Sequence, residues 1–155
     1  MQEKLPSFEV VVGNRLFRVA DYQRPYAWER KQLEDLWEDL NLLGEFTDHY
    51  TGTLVLKDAD EPPVYTSTGR ELSVFEIVDG QQRLTTLTIL VERLRRALED
   101  VATPDALEAA RILDDLLRVR VDGVTQRRLE LANELDEFFE RCVMSDLPAT
   151  TDGLL

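Results

Sequence analysis

Apolar and polar positions change period several times along this chain, and each change predicts an element. Ser7 to Val12 (SFEVVV) and Leu16 to Ala20 (LFRVA) are rich in β-branched and aromatic residues, and Gly13-Asn14-Arg15 between them predicts a two-stranded hairpin. Leu33, Leu36, Trp37, Leu40 and Leu43 then recur at helical spacing opposite Glu34, Asp35, Glu38 and Asp39, with Gly44 as the stop. Thr51 to Lys57 predicts a strand, and Asp58 to Arg70 a loop or loose hairpin containing Val64-Tyr65. Leu72 to Val78 predicts the strand that leads into the longest helix, whose apolar stripe is Leu84, Leu87, Val91, Leu94 and Leu98, widened by Ile89 and Leu90.

Thr103-Pro104-Asp105 has the form of a helix start, with threonine as cap and proline in the first turn. Ala106, Ala110, Leu113 and Leu117 would face inward from that helix. Asp122-Gly123 marks a turn and Arg128 to Leu131 a brief extended segment. Asn133 would cap a last helix carrying Leu135, Phe138, Phe139 and Cys142. The tail from Asp146 to Leu155 has no period. The order of elements predicts an α+β fold with a mixed sheet, flanking helices and a helical C-terminal half.

Composition narrows the class. At 155 residues, 43% hydrophobic and 32% charged, the chain is long enough to bury a substantial core. No apolar run approaches the roughly 20 residues that cross a bilayer, no secretory leader pattern is present, and the single cysteine cannot form an internal disulfide. These features predict a cytoplasmic location. A net charge of −13 opposes stand-alone DNA binding, so any nucleic-acid contact needs a local basic pocket or another domain.

The candidate chemistry sits in two segments. Asp79-Gly80-Gln81-Gln82-Arg83 (DGQQR) is a polar, glycine-bearing junction where a strand meets a helix start, a place where free amides attract an anion. Asp79 as cap with Gln82 three residues later would form a capping box, which is the ordinary structural reading. Arg83 does not belong to that reading, because a cation in the first turn is disfavoured by roughly 0.3–1 kcal/mol unless an anion accompanies it. Asp79 repels phosphate directly, so its functional role would be to hold a divalent cation or to orient Gln82 and Arg83. Gly80 suits a close backbone approach or an unusual φ.

The second segment is Gln23-Arg24-Pro25-Tyr26-Ala27-Trp28 (QRPYAW). Pro25 biases Arg24 toward extended backbone, and Trp28 can staple the helix that follows by packing on Leu33. Its functional reading puts Gln23 and Arg24 in the same pocket as Arg83; its structural reading makes Tyr22, Tyr26 and Trp28 core residues and Arg24 surface. Arg83 with a helix start supplies about 3–5 kcal/mol, while micromolar affinity needs about 8, so further donors are required. Gln81, Gln23 and Arg24 are the candidates. Thr85, Thr86 and Thr88 could line a polar groove nearby. His49 is a lone histidine, Cys142 lies on an apolar helix face, and neither a Walker A loop nor a zinc-spaced Cys/His set occurs.

Four blocks in order carry a family resemblance: Asp21 to Trp28, Leu36-Trp37-Glu38-Asp39-Leu40, Gly52 to Leu56, and Phe75 to Leu87 with the DGQQR motif at its centre. Arg128 to Leu131 with Asp136, Phe138 and Phe139 extends the match to about residue 143. The sequence resembles the N-terminal domain of GmrSD-type modification-dependent restriction enzymes, a domain that SspE-like phosphorothioation-dependent effectors share. The resemblance implies a ParB/sulfiredoxin-like fold whose DGQQR motif binds and hydrolyses a nucleoside triphosphate, with Mg2+ as a candidate ion. That activity regulates cleavage of modified foreign DNA in an antiviral restriction system, and the nuclease is a separate C-terminal HNH-type domain of the full-length protein or of a partner. The implied catalytic residues are Asp79, Gln82 and Arg83, and the nucleotide-binding residues Gly80, Gln81, Arg83, Gln23 and Arg24. Tyr22, Tyr26 and Trp28 are candidates for sensing DNA or its modification. The expected organisation is a core over 1–102, a helical extension over 103–145 and an irregular tail over 146–155 that marks a truncation point. The alternative is a non-enzymatic sensor that recognises modified DNA or a partner chain.

Overall fold

The computed structural model describes residues 6–45, 47–132 and 134–145; the expected cap Asn133 and the tail 146–155 lie outside them. The described elements are α1 (Phe8–Val12), β1 (Arg15–Val19), α2 (Arg30–Asn41), β2 (Val55–Asp58), β3 (Val64–Tyr65), β4 (Glu71–Asp79), α3 (Gln81–Val101), α4 (Pro104–Leu117), β5 (Arg118–Val121), β6 (Val124–Arg127), β7 (Leu129–Glu130) and α5 (Glu134–Phe139). A π-helical turn, Glu140–Met144, continues α5. The fold is α+β, as the order of elements predicts. None of the described helices is long and apolar enough to cross a membrane.

The main sheet runs β2-β4-β1-β7, with β3 pairing on the outer part of β4. β1 lies parallel to β4 (Phe17 opposite Phe75) and parallel to β7 (Phe17 opposite Leu129), whereas β2 and β3 run antiparallel to β4. Phe17, Val19, Ile77 and Leu129 from these strands meet Leu84 of α3 and Phe139 of α5 in the principal core. A smaller core joins Leu72 to Val119 and Val121.

Several expectations need correcting. The first predicted strand is the helical turn α1: the Ser7 hydroxyl accepts from Val10 N–H at 3.5 Å, and Gly13 N–H closes onto Glu9 O at 3.0 Å. β1 is bordered by β4 and β7, so no edge remains for a hairpin partner, and the turn drops Val12 into the core instead. The strand predicted at Thr51 starts only at Val55, because residues 51–54 wrap the start of α3 with Gly52 at φ 102°. The C-terminal half is not simply helical. Val119 and Val121 alternate inward on a β5–β6 hairpin whose turn residues Asp122 and Gly123 both have positive φ, 49° and 81°.

Helix stripes also moved. In α3 the buried positions are Gln81, Leu84, Thr85, Thr86, Thr88, Glu92 and Arg95, whereas Leu94 of the expected stripe is largely exposed. In α2 the apolar stripe exists but no residue is buried, and Trp37 is 58% exposed. The prediction for α4 holds: Thr103 caps it by accepting from Ala106 N–H, with Pro104 in the first turn and Ala106, Ala110 and Leu117 buried.

Candidate functional site

The carboxyl ends of the parallel strands β1, β4 and β7 converge beside the start of α3, where ligands bind in open sheets with parallel strands. β4 ends at Asp79, and Gly80 reverses the chain at φ 93°. A Cβ at Gly80 would lie 2.9 Å from both the Thr53 carbonyl oxygen and the Leu54 side chain, so the junction needs glycine for conformation and for space. Asp79 is not the cap and no capping box forms with Gln82. Gly80 occupies the cap position, and the Asp79 carboxylate turns back to accept from Gly80 N–H at 2.8 Å. Leu84 N–H reaches Gly80 O, while the amides of Gln81, Gln82 and Arg83 have no intrahelical acceptor.

Gln82 is drawn off by the other motif. Its amide oxygen accepts from Ala27 N–H at 2.7 Å and Trp28 N–H at 3.3 Å, and its amide nitrogen donates to Pro25 O at 3.2 Å. Gln81 donates to Arg24 O at 2.9 Å. The two glutamines of DGQQR therefore hold the backbone of QRPYAW, and the motifs form one unit. Thr86 donates to Gln82 O at 2.8 Å, which leaves its oxygen to accept from the Tyr26 hydroxyl at 2.9 Å. Gln23 adds a long contact to Val78 O at 3.4 Å.

A cleft of about 450 Å³ opens between these segments. Asp21, Gln23, Arg24, Pro25 and Tyr26 form one wall, Gln81 and Thr85 of α3 a second, and Val19, Leu131, Ala132 and Leu135 an apolar remainder. Gln23, Arg24 and Gln81 thus share a pocket, but Arg83 does not join them. It lies across the helix start, against Gly52, and donates to Thr53 O at 3.2 Å. Asp79, Gly80 and Gln82 are likewise outside the cleft lining. Neither Arg24 nor Arg83 has a carboxylate partner among the described residues. Tyr22 is 75% exposed, whereas Tyr26 and Trp28 are half-buried.

Thr85 was expected only as part of a polar groove. Its hydroxyl is the single buried side-chain N or O atom without a hydrogen-bond partner among the described residues, and its residue lines the cleft. Such an orphan costs about 1–3 kcal/mol, so it calls for an explanation. Thr88 is satisfied internally through Leu84 O. His49 stands 3.9 Å from Asp39, and no group of three His, Cys, Asp or Glu suited to a metal occurs among the described residues. Cys142 is half-buried in the π-helical turn.

Behind the site, α3 is anchored by a buried ion-pair cluster that the sequence pattern hid. Glu92 is fully buried and accepts from Arg95, Arg96 and Arg118. Burial by itself would raise its pKa, but the three guanidinium hydrogen bonds overcome this and hold it at about 2.

A family model for the GmrSD restriction endonuclease N-terminal domain matches residues 8–151. No curated protein matches the chain. The match takes in the clasped motifs, the cleft and the ion-pair cluster together, and the chain belongs to the GmrSD restriction endonuclease N-terminal domain family.

Proposed function

We propose that the start of α3 and the adjoining cleft bind a nucleoside triphosphate, and that its hydrolysis regulates a restriction system directed at modified DNA. The observation that carries this reading is the glutamine clasp. It holds Arg24 on one side of α3 and leaves Arg83 on the other, while three amides at the helix end lack intrahelical acceptors. A 21-residue helix presents roughly half a positive charge there. The phosphates would lie at the amides of Gln81, Gln82 and Arg83, flanked by the two guanidiniums. Base and ribose suit the half-apolar cleft, whose volume falls within the usual ligand range of roughly 300–1,000 Å³.

The residues present fit this group. Thr85 offers an unused hydroxyl to a ligand atom or a water, and Asp79 keeps one oxygen free of Gly80. Mg2+ on a nucleotide needs only one or two protein carboxylates, so Asp79 alone suffices to hold it against the phosphates. Bound triphosphate would supply the bond to be hydrolysed; Arg83 would orient it and stabilise charge on its oxygens, and Gln82, its side chain held by Pro25, Ala27 and Trp28, would add its backbone amide. A ParB/sulfiredoxin-like ancestry is consistent with parallel β1, β4 and β7 around this junction. Tyr22 is exposed enough to stack on a base, and a C-terminal HNH-type nuclease would carry the cleavage step in the full-length protein.

Phosphate release from nucleoside triphosphates with Mg2+ tests the reading, using the intact chain and Asp79→Asn. Turnover in the wild type with loss of at least tenfold in Asp79→Asn supports it. Nucleotide binding without turnover in either protein would instead favour a non-enzymatic sensor.

A further inference from the structure

A second cleft, of about 510 Å³, lies at the opposite end of the central strand. It borders Arg70, which precedes β4, whereas the nucleotide junction follows Asp79, and eight strand steps separate these ends by about 26 Å. Its walls carry Arg70, Arg118, Arg120 and Arg128 against only Glu9 and Asp115, in a chain of net charge −13. Arg118 is already neutralised by Glu92 and Asp114. The others are not.

Arg128 is 5% exposed and has no ion-pair partner among the described residues. Its Nε donates to Asp115 O at 3.0 Å, and its Nη1 to the carbonyls of Val12, Gly13 and Arg15 at 3.2, 3.0 and 3.2 Å. None of those bonds uses Nη2. Burial, and secondarily the charge of Arg70, push the Arg128 pKa down despite the nearby Asp115. Arg70 is exposed with no side-chain acceptor among the described residues. Two guanidiniums that repel each other, neither in an ion pair among the described residues, invite an anion even with Asp115 nearby. Hydroxyls are at hand in the loop Thr66-Ser67-Thr68-Gly69. Thr66 Oγ1 accepts from Arg70 N–H at 2.9 Å and Thr68 Oγ1 lies 3.0 Å from it, while Ser67 Oγ accepts from Gly123 N–H at 3.1 Å and donates to Arg120 O at 3.4 Å.

We infer that this second cleft binds a phosphate group, with Arg70, Arg120 and the Nη2 edge of Arg128 as charge partners and the Thr68 hydroxyl as a neutral donor. Donors from several directions suit a tetrahedral oxyanion better than a planar carboxylate. The phosphate can belong to a nucleic-acid backbone or to a small phosphorylated molecule. A local basic cleft of this kind is what an acidic chain requires for any phosphate contact. It is independent of the nucleotide site.

The test is backbone amide NMR on the intact chain and on the double variant Arg70→Gln, Arg120→Gln, titrated with inorganic phosphate and, at matched ionic strength, with chloride and acetate. Both substituted residues are exposed, so the fold is retained, and dispersed amide spectra check this. The expected result is saturable shifts at Ser67, Thr68 and Gly69 with phosphate alone, with affinity at least tenfold weaker in the variant. A short DNA duplex at about 50 mM salt separates the sources. The same shifts, with a log–log salt slope reduced by about two in the variant, identify a nucleic-acid backbone; phosphate shifts without DNA shifts identify a small phosphorylated molecule. Equal response to phosphate, chloride and acetate, or equal affinity in the variant, overturns the proposal. Either outcome leaves nucleotide shifts at Gln81 to Arg83 unaffected, so the two readings fail separately.

Discussion

Gly80, Gln82 and Thr85 each answer to a different physical constraint within two turns of chain. A Cβ at Gly80 meets backbone oxygen at 2.9 Å in a left-handed conformation, so Gly80→Ala should cost about 2 kcal/mol or more in urea unfolding. Gln82→Ala removes one acceptor from two amides and a donor from Pro25 O. It should cost about 1–3 kcal/mol and speed hydrogen exchange at Ala27 and Trp28, while amides of β4 keep their protection. Thr85→Val replaces an orphan hydroxyl by a methyl group of similar shape. Stability should rise by about 1 kcal/mol while nucleotide affinity falls, as expected of a polar atom kept for a ligand. An affinity unchanged in Thr85→Val would remove that hydroxyl from the binding account.

Elements were legible where the signal was local. Thr103 and Pro104 announce α4 because capping and fixed φ act within one turn, and the loop or loose hairpin expected over Asp58 to Arg70 holds β3 at Val64–Tyr65, although its partner, Glu71-Leu72 of β4, was not specified. Decisions made by tertiary neighbours were not legible. The Val10-Val11-Val12 run favours a strand, yet β1 had both edges taken; Leu94 follows the apolar period of α3, yet α4 and β5 pack on the Glu92 side. The DGQQR and QRPYAW segments were visible singly, but the side-chain clasp between residues 54 to 57 positions apart was not. The same reasoning ranks two apolar helix positions. Trp37→Ser, on the uncovered face of α2, should cost under about 1 kcal/mol, whereas Leu84→Ala in the core should cost about 2–5 kcal/mol. Urea midpoints of the two variants check that order.

Across the whole molecule, the Glu92 cluster joins α3 to α4 and β5. Arg96 and Arg118 also donate to carbonyls of residues 143–145, binding the C-terminal turn to the same point. Because the folded pKa of Glu92 is depressed to about 2, its contribution is fully present above its unfolded value and is lost as pH falls toward 2. The contribution at neutral pH is about 3 kcal/mol, taking an unfolded glutamate near 4.3. Urea unfolding between pH 2 and 7 should show this loss between about pH 4.3 and 2, and Glu92→Gln should lack it. Glu92→Gln should also be about 3–5 kcal/mol less stable at pH 7, since three arginines lose their buried carboxylate.

At this scale the sheet has two polar ends, a clasped junction at the carboxyl ends of its parallel strands and a basic cleft at their amino ends. The proposed activity rests on the first. Amide chemical shifts on adding nucleoside triphosphate and Mg2+ to the intact chain test it most directly. The largest changes should fall on Gln81, Gln82 and Arg83, with smaller ones at Gln23, Arg24 and Thr85 and a loss of affinity of about tenfold in Arg83→Ala. Shifts confined to other regions, or equal affinity in Arg83→Ala, would contradict it.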